Sequence, residues 1–231
     1  MLDKAFDALK TYNWGADRKA LDPIDEAIVA THGDVAATRG LETRLVAVLN
    51  ADVSRDAKDF VCRKLRVIGT KASVPTLAGF LPHKHHSHMA RYALERIPAP
   101  EAAEAMRDSL AKISDPLKVG VISSLGVRQD SASVPALASL LHKAEPSVAR
   151  AAALALGDIR SEDAAAALTK AKPKNADVKF AATDASLACA EQLLEDGKKA
   201  KALVIYKGLA GNDQPKQVRL AATRGMLACA S

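Results

Sequence analysis

Aromatic residues are scarce in this chain of 231 residues, which contains only four Phe, three Tyr and one Trp. Its three cysteines are too few for a disulfide framework. No segment approaches the roughly 18 uninterrupted apolar residues of a membrane-spanning helix. The hydrophobic content of 48% is too high for a disordered chain. The sequence is therefore that of a folded chain without a membrane span or a disulfide framework.

Alanine is abundant where aromatic residues are rare, since 47 of the 231 residues are alanine. Alanine has the highest intrinsic helix propensity, and its small side chain lets neighbouring helices approach closely. The composition therefore favours thin helices in close contact, and we expect an all-α fold.

The sequence repeats itself at intervals typical of helical repeat proteins. Residues 72–81 return 60 positions later as residues 132–141, and residues 178–183 match residues 218–223 at an offset of 40. Leucines spaced 31 residues apart each lie late in an apolar segment, at Leu94, Leu125, Leu156 and Leu187. Several matching registers in one chain indicate a repeated structural unit rather than chance.

Each unit reads as two helices, because proline and glycine recur at fixed places within it. Proline is favoured in the first turn of a helix, and it follows Asp115, Glu145 and Gln214 at the predicted starts of first helices. The pairs Val74-Pro75 and Val134-Pro135 predict the starts of second helices. Glycine favours the left-handed position just after a helix, which we expect for Gly69, Gly126 and Gly157.

These signals divide most of the chain into helix pairs. We expect the pairs at residues 16–50, 52–82, 85–113, 115–143, 145–172 and 175–210. A lone helix, cut short of a full pair, is expected at 214–230. Together the helices are expected to form a single α-solenoid domain over residues 1–231.

Residues 1–14 are expected to form an N-terminal cap. Solenoids need a modified terminal unit that shields the open end of the core. Three of the few aromatic residues lie in this segment, and we expect them to cover the first exposed face: Phe6, Tyr12 and Trp14.

The repeat resembles a known family, the HEAT repeats, in their short, phycobilisome-lyase-like bacterial form. The resemblance rests on the pattern Val-Arg-x-x-Ala-Ala-x-x-Leu-Gly followed by Val-Pro-x-Leu-x-x-Leu-Leu, the second part of which is residues 134–141, and it covers about residues 52–230. It implies a right-handed superhelix of antiparallel helix pairs. Residues 186–210 depart from the pattern and resemble a tetratricopeptide-type hairpin.

Two further segments, residues 57–63 and 87–98, are similar to parts of large bacterial HEAT-repeat proteins that are often multidomain and exported. This resemblance implies that the chain is one module of a larger protein. Its opening residues lack the basic start and apolar run of a secretory signal, and the compartment stays open.

Enzymes that use HEAT-like folds need features that this sequence lacks. A di-iron hydroxylase of this architecture carries repeated His-Glu pairs, but none of the six histidines here is followed by Glu. HEAT-like DNA glycosylases have a channel rich in Trp and Tyr, and nothing identifies the bilin site of a phycobilin lyase. Phosphate-binding loops and nucleophile elbows are also missing. We expect no enzyme activity and no cofactor.

One stretch of the chain concentrates histidine, and short histidine-rich tracts can bind zinc, nickel or copper. It contains His83, His85, His86 and His88. If a helix began near His85, His85 and His88 would lie one turn apart and could share a metal ion. The tract falls between two predicted helix pairs, however, and a solvated loop is the favoured interpretation.

The net charge of +6 is unevenly distributed. Residues 51–100 carry nine basic and four acidic side chains, residues 201–231 carry five and one, and residues 101–200 nearly balance. The basic residues chosen as candidates for partner binding are Arg63, Lys64, Arg66, Lys198, Lys199 and Lys201. Aspartates interleave with the first three, which favours a mixed-charge solvated face over a nucleic-acid surface.

We therefore expect a non-catalytic scaffold that binds a protein or peptide on the concave surface formed by the second helices. The chain is expected to be a monomer in isolation. Two alternatives stay open: a nucleic-acid-binding repeat protein that uses the basic regions, and an assembly or cofactor-insertion factor for another enzyme.

Overall fold

Fourteen α-helices follow one another along residues 1–230, the part of the chain that the computed structural model describes, and no strand occurs among those residues. The helices form two compact units, which divide between Leu117 and Lys118. We call them the first unit and the second unit. The predicted all-α, HEAT-like fold class is confirmed; the single α-solenoid domain stays a prediction.

The first unit contains seven of the helices: α1 (Leu2–Thr11), α2 (Asp22–Ala30), α3 (Val35–Leu49), α4 (Arg55–Ile68), α5 (Val74–Gly79), α6 (Ser87–Leu94) and α7 (Pro100–Ser109). The others are α8 (Asp115–Val127), whose first turn contains the division, α9 (Val134–Lys143), α10 (Pro146–Ile159), α11 (Glu162–Lys170), α12 (Ala176–Glu195), α13 (Lys199–Leu209) and α14 (Lys216–Ala230). The valines of the two Val-Pro pairs begin α5 and α9, where the sequence predicts second helices.

Alternate helices pack against each other, so that each unit has two layers. In the first unit α4 packs on α6 and α5 packs on α7. In the second unit α10 packs on α12 and α12 on α14, while α9 packs on α11. This arrangement follows from the repeat, because equivalent helices present equivalent apolar faces to their neighbours.

Two glycines allow the helices of the second unit to approach closely. A Cβ atom on Gly126 would lie 3.0 Å from the Cα of Ala155, and one on Gly157 would lie 2.8 Å from the Cα of Ala185. Both distances are shorter than ordinary contacts between carbon atoms. The helix axes can therefore be this close only because these positions lack a side chain.

The predicted left-handed glycines are an error of the sequence analysis. Gly126 and Gly157 lie inside α8 and α10, and Gly69, which follows α4, has extended backbone with φ −63° and ψ 140°. The left-handed residues are instead Gln129 and Arg160, three positions after each helical glycine. Glycine serves here for close packing of helices, and each helix continues past it.

The N-terminal cap is only partly as predicted. Phe6 is buried in α1, and the ring of Tyr12 lies 6.5 Å from that of Phe60, centroid to centroid. Trp14 does not cover the core, because its side chain is 90% exposed. Its backbone N–H donates a hydrogen bond to Asp56, which holds the turn in place while the indole faces solvent.

Candidate functional site

A groove separates α11 and α13 in the second unit. Each of them is the second helix of a predicted helix pair. Whereas α11 packs directly on α9, its contact with α13 is slight, and a cavity of about 300 Å³ lies between the two helices. The walls include Ala165 and Ala166 of α11, Val204 and Ile205 of α13, and Leu193 of α12 beneath them. We call this cavity the apolar groove.

Val204 is the outstanding residue of the apolar groove, because its side chain is 66% exposed. Its neighbour Ile205 is buried, so that α13 turns Ile205 inward and leaves the residue before it at the surface. Covering an exposed aliphatic side chain with a partner is favourable, because it removes apolar surface from water. The apolar groove can therefore accept an apolar side chain of another molecule.

An ion-pair cluster borders the apolar groove at the start of α11. The Glu162 carboxylate accepts a hydrogen bond from Lys201, and the Nζ atom of Lys198 lies 3.9 Å from it. The hydrogen bond from Lys201 and the positive charges of both lysines hold the pKa of Glu162 below its usual range. Lys198 also lies 3.4 Å from Asp196. Lys199, the third candidate in this region, begins α13 and is exposed.

A second, larger cavity of about 410 Å³ continues from the apolar groove toward the ends of α11 and α13. Thr169 and Ile205 line both cavities, which makes them neighbours. The larger cavity is bounded by the loop after α11 and by the first half of α12, and Lys172 and Lys179 are its charged residues.

The loop after α11 carries the cavity chain further. Lys172 and Pro173 also line a third cavity, of about 340 Å³, together with Lys174. The loop ends where Asn175 caps α12, its side-chain oxygen accepting hydrogen bonds from the backbone N–H groups of Asp177 and Val178. Such a cap fixes where the helix begins, and it thereby fixes where Lys172 and Lys174 lie in the loop before it.

Four lysines of this region are exposed, and none of them forms an ion pair within the described part of the chain: Lys170, Lys172, Lys174 and Lys179. We call them the loop lysines, after the loop between α11 and α12 that contains Lys172 and Lys174; Lys170 ends α11, and Lys179 lies in the first turn of α12. They are absent from the basic candidates predicted from the sequence, because residues 101–200 nearly balance in charge as a block. The signal was present at shorter range, since no acidic residue lies between Asp163 and Asp177.

The basic candidates of the first unit are largely engaged within that unit. Lys64 forms an ion pair with Asp25, its Nζ atom lies 4.5 Å from the ring centroid of Phe60, and its side chain is only 13% exposed. Arg66 stacks over Tyr92, 4.4 Å from the ring centroid. The structure thus places both charges against neighbouring side chains.

Arg63 is exposed on α4, and its charge acts on Asp59 of the same helix. Burial nevertheless raises the pKa of Asp59, and the attraction of Arg55 and Arg63 only partly offsets it. Arg55 Nε lies 3.6 Å from the Asp59 carboxylate. This helix face is therefore of mixed charge, as its interleaved aspartates predict.

The histidine tract does not have the helical spacing on which a shared metal ion would depend. Helix α6 begins at Ser87, so that His85 lies before the helix and only His88 lies in its first turn. Both side chains are exposed, and the Nδ1 atom of His88 lies 3.5 Å from Arg91 Nη2. His85 lies in the turn of residues 84–86 that leads into α6, and a metal ion shared by His85 and His88 stays a prediction.

The other two histidines of the tract surround Phe80. The ring centroid of His86 lies 5.4 Å and that of His83 lies 6.2 Å from the centroid of Phe80. Burial lowers the pKa of His86, and the nearby charge of Lys58 acts in the same direction. Within residues 1–230, no three side chains of His, Cys, Asp or Glu come together in a way that could hold a metal ion.

Comparison with known proteins identifies the repeat. Residues 114–186 match the family profile of HEAT repeats. The match covers 73 of the 231 residues. The match ends at the residue where the tetratricopeptide-type resemblance begins, and α13 with the far wall of the apolar groove lies beyond it.

The remaining comparisons add little. No curated protein matches the chain. Among 18 matching chains of solved structures, the crystal structure of an engineered protein aligns with 100% of this chain and 68% of its own, at 18% identity and a TM-score of 0.45. No helix in residues 1–230 has the length and apolar character needed to cross a bilayer.

HEAT repeats are generally protein-interaction scaffolds, and the family is typically non-enzymatic. The described residues fit that use, since the cavities of the second unit are open grooves between helices and their linings are mostly aliphatic side chains and lysines.

Proposed function

We propose that this chain is a non-catalytic scaffold that binds a protein or peptide partner in the apolar groove between α11 and α13. The observation that carries the proposal is Val204, an exposed aliphatic side chain at the edge of a cavity. Each of the two helices is the second helix of a predicted helix pair, and the second helices form the layer on which the sequence predicts partner binding.

The groove has the properties of a peptide-recognition surface. Ala165 and Ala166 keep the α11 wall low, so that a partner side chain can reach Leu193 at the floor. The ion pair between Glu162 and Lys201 provides a polar rim. An apolar centre with a polar rim is the usual anatomy of a protein interface.

Two related proposals come from the resemblance to large bacterial HEAT-repeat proteins. We propose that the chain is one module of a larger protein and that residues 1–231 act as one α-solenoid.

Nucleic acid is the weaker candidate for the partner. Three of the basic candidates, Lys64, Lys198 and Lys201, already lie beside carboxylates, which reduces the positive charge that they offer to phosphates.

The proposal is tested by selecting peptides from a phage-displayed random library on the wild-type protein. The enriched peptides are synthesised with a fluorescein label, and their affinities are measured by fluorescence polarisation. We expect Val204→Asp to weaken binding about 10-fold or more, because it places a charge in a desolvated contact.

Val67→Asp is the matched control, since Val67 lies on α4 and is 69% exposed. It should leave the affinities unchanged, and circular dichroism should show native helix content in both variants. Failure to enrich any peptide, or an equal loss of affinity in the two variants, would refute the proposed function.

A further inference from the structure

We propose that the partner is an acidic peptide segment, with an apolar residue in the apolar groove and carboxylates along the loop lysines. This inference rests on the proposed function and names the chemistry of the partner. It follows from the charge of the surface that continues from the apolar groove.

The cavities form a connected path. Thr169 and Ile205 join the apolar groove to the cavity of about 410 Å³, and Lys172 with Pro173 joins that cavity to the one of about 340 Å³. Lys179 joins the same path to a cavity of about 250 Å³ beside Phe180. A single extended segment can therefore occupy the apolar groove and reach the loop lysines.

Two cavities of this path have ionisable side chains of one sign only. No carboxylate lines the cavities of about 410 and 340 Å³, whose ionisable residues are Lys172, Lys174, Lys179 and His142. Asp213 lines only the cavity of about 250 Å³, where it accepts a hydrogen bond of 3.2 Å from Gln214. Glu162 lines only the apolar groove, where Lys201 neutralises it.

The loop lysines also have a spacing that suits a peptide. Lys170, Lys172 and Lys174 occupy alternate positions, and Ala171 between them has extended backbone with φ −69° and ψ 136°. Alternate residues of extended chains are roughly 7 Å apart in both molecules. Acidic residues at alternate positions of a partner would therefore match the lysines in number and spacing.

The walls between the lysines favour a peptide over single-stranded nucleic acid. Leu168, Val178 and Ile205 are aliphatic, and no Phe, Tyr or Trp lines the cavities of about 410 and 340 Å³, whereas Phe180 lines only the cavity of about 250 Å³. Single-stranded nucleic acids gain much of their affinity by stacking bases on aromatic rings. Aliphatic walls instead suit the side chains of a peptide.

The test uses the fluorescein-labelled peptides from the library selection. We expect them to be enriched in Asp and Glu beside an apolar residue. The double variant Lys172→Glu/Lys179→Glu should weaken their binding about 30-fold or more, and raising salt from about 50 mM to about 300 mM should weaken binding to the wild type.

The matched control is Lys71→Glu/Lys112→Glu, which changes the net charge equally at two exposed lysines of the first unit. It should change the affinity less than about 3-fold. Because all four substitutions are at exposed positions, thermal unfolding should be similar in both variants.

The outcomes separate the inference from the proposed function. Peptides without an acidic excess that still lose affinity with Val204→Asp would overturn the inference and leave the proposed function standing. Equal binding to the two charge-reversal variants would do the same. Absence of any selected peptide would overturn both. Tighter, lysine-dependent binding of a fluorescein-labelled oligothymidine would overturn the acidic peptide as partner.

Discussion

The two units use their positive charges differently. In the first unit, Arg44 contacts Asp3 at 2.7 Å and stacks 4.0 Å over Phe6, while Lys64 pairs with Asp25. In the second unit, the loop lysines form no ion pairs within the described residues. Residues 51–100, which are basic in sequence, thus hold the charge of Lys64 against Asp25, whereas the nearly balanced residues 101–200 present the loop lysines to solvent.

The contacts that hold helices together within a unit also differ between the two units. The first unit contains a buried carboxylate, Glu42, that accepts hydrogen bonds from the loop after α4. The second unit relies on alanine and glycine at the contacts between α8, α10 and α12. Charged and aromatic side chains contact one another between helices of the first unit, as Arg44 does with Phe6, whereas small residues allow the close approach of helices in the second unit.

The largest expected effect concerns the cysteines, which report on each unit separately. Burial raises the pKa of Cys62 in the first unit to about 12 and that of Cys189 in the second unit to about 11. A raised pKa leaves little thiolate at pH 8, so Ellman's reagent should react with both roughly 100-fold or more slowly than with an exposed thiol.

Cys229 is only half-buried and should react first. Mass spectrometry of the labelled protein identifies the thiol. Prompt labelling of Cys62 or Cys189 in the native protein would contradict the burial of that unit. With urea, the onset of labelling at each position measures the opening of the unit around it.

Glu42→Ala should have the next largest effect. The side chain is 1% exposed and accepts hydrogen bonds from Thr70 N at 2.7 Å and from Thr70 Oγ1 at 2.9 Å, and it also accepts one from Ser73. Removing it leaves the buried hydroxyl of Ser73 and both donors of Thr70 without this acceptor, so the free energy of unfolding should fall by about 3 kcal/mol.

Labelling of Cys62 in urea measures this loss in the first unit. Glu26→Ala is the control, because Glu26 is exposed on α2 and its removal should cost less than about 0.5 kcal/mol. Equal effects of the two substitutions would show that the Glu42 contacts do not stabilise the first unit.

Gly157→Ala tests the close packing of the second unit. The added Cβ would lie 2.8 Å from the Cα of Ala185, so α10 and α12 must move apart, at a cost of about 2 kcal/mol. Labelling of Cys189 should begin at lower urea. Gly40→Ala, at a helical glycine with nothing within 4 Å, should instead stabilise by about 0.5 to 1 kcal/mol. A stable Gly157→Ala variant would contradict the close approach.

The fold was predictable where local signals decide it. Val74 and Val134 begin helices because proline at the next position is favoured in the first turn of a helix. Gly126 and Gly157 were misassigned, because glycine serves equally for a helix end and for close approach. Only the neighbours Ala155 and Ala185, far away in sequence, distinguish the two uses.

The candidate site was less predictable, because it depends on the spacing of helices. Val204 lies in an ordinary apolar stretch of α13, and nothing local indicates that α11 stands away from it. Lys64 was chosen for its charge, yet a carboxylate 39 positions earlier, Asp25, pairs with it. Charge counts over long windows likewise concealed the loop lysines.

The smallest effect compares one engaged lysine with one unpaired lysine through the same substitution. Methionine keeps most of the unbranched stem and removes the charge. Lys64→Met should lower the free energy of unfolding by about 0.5 to 1 kcal/mol, because it removes the ion pair with Asp25 and the cation–π contact with Phe60. This difference from wild type should shrink in about 0.5 M salt.

Lys172→Met should leave the free energy of unfolding within about 0.5 kcal/mol of wild type, since Lys172 forms no ion pair. It should nevertheless weaken the binding of the acidic peptides selected on the wild type. Urea unfolding followed by circular dichroism and fluorescence polarisation of the labelled peptides measure the two properties on the same samples. If Lys64→Met weakens peptide binding and Lys172→Met lowers stability, the difference between the units is the reverse of the one drawn from their contacts.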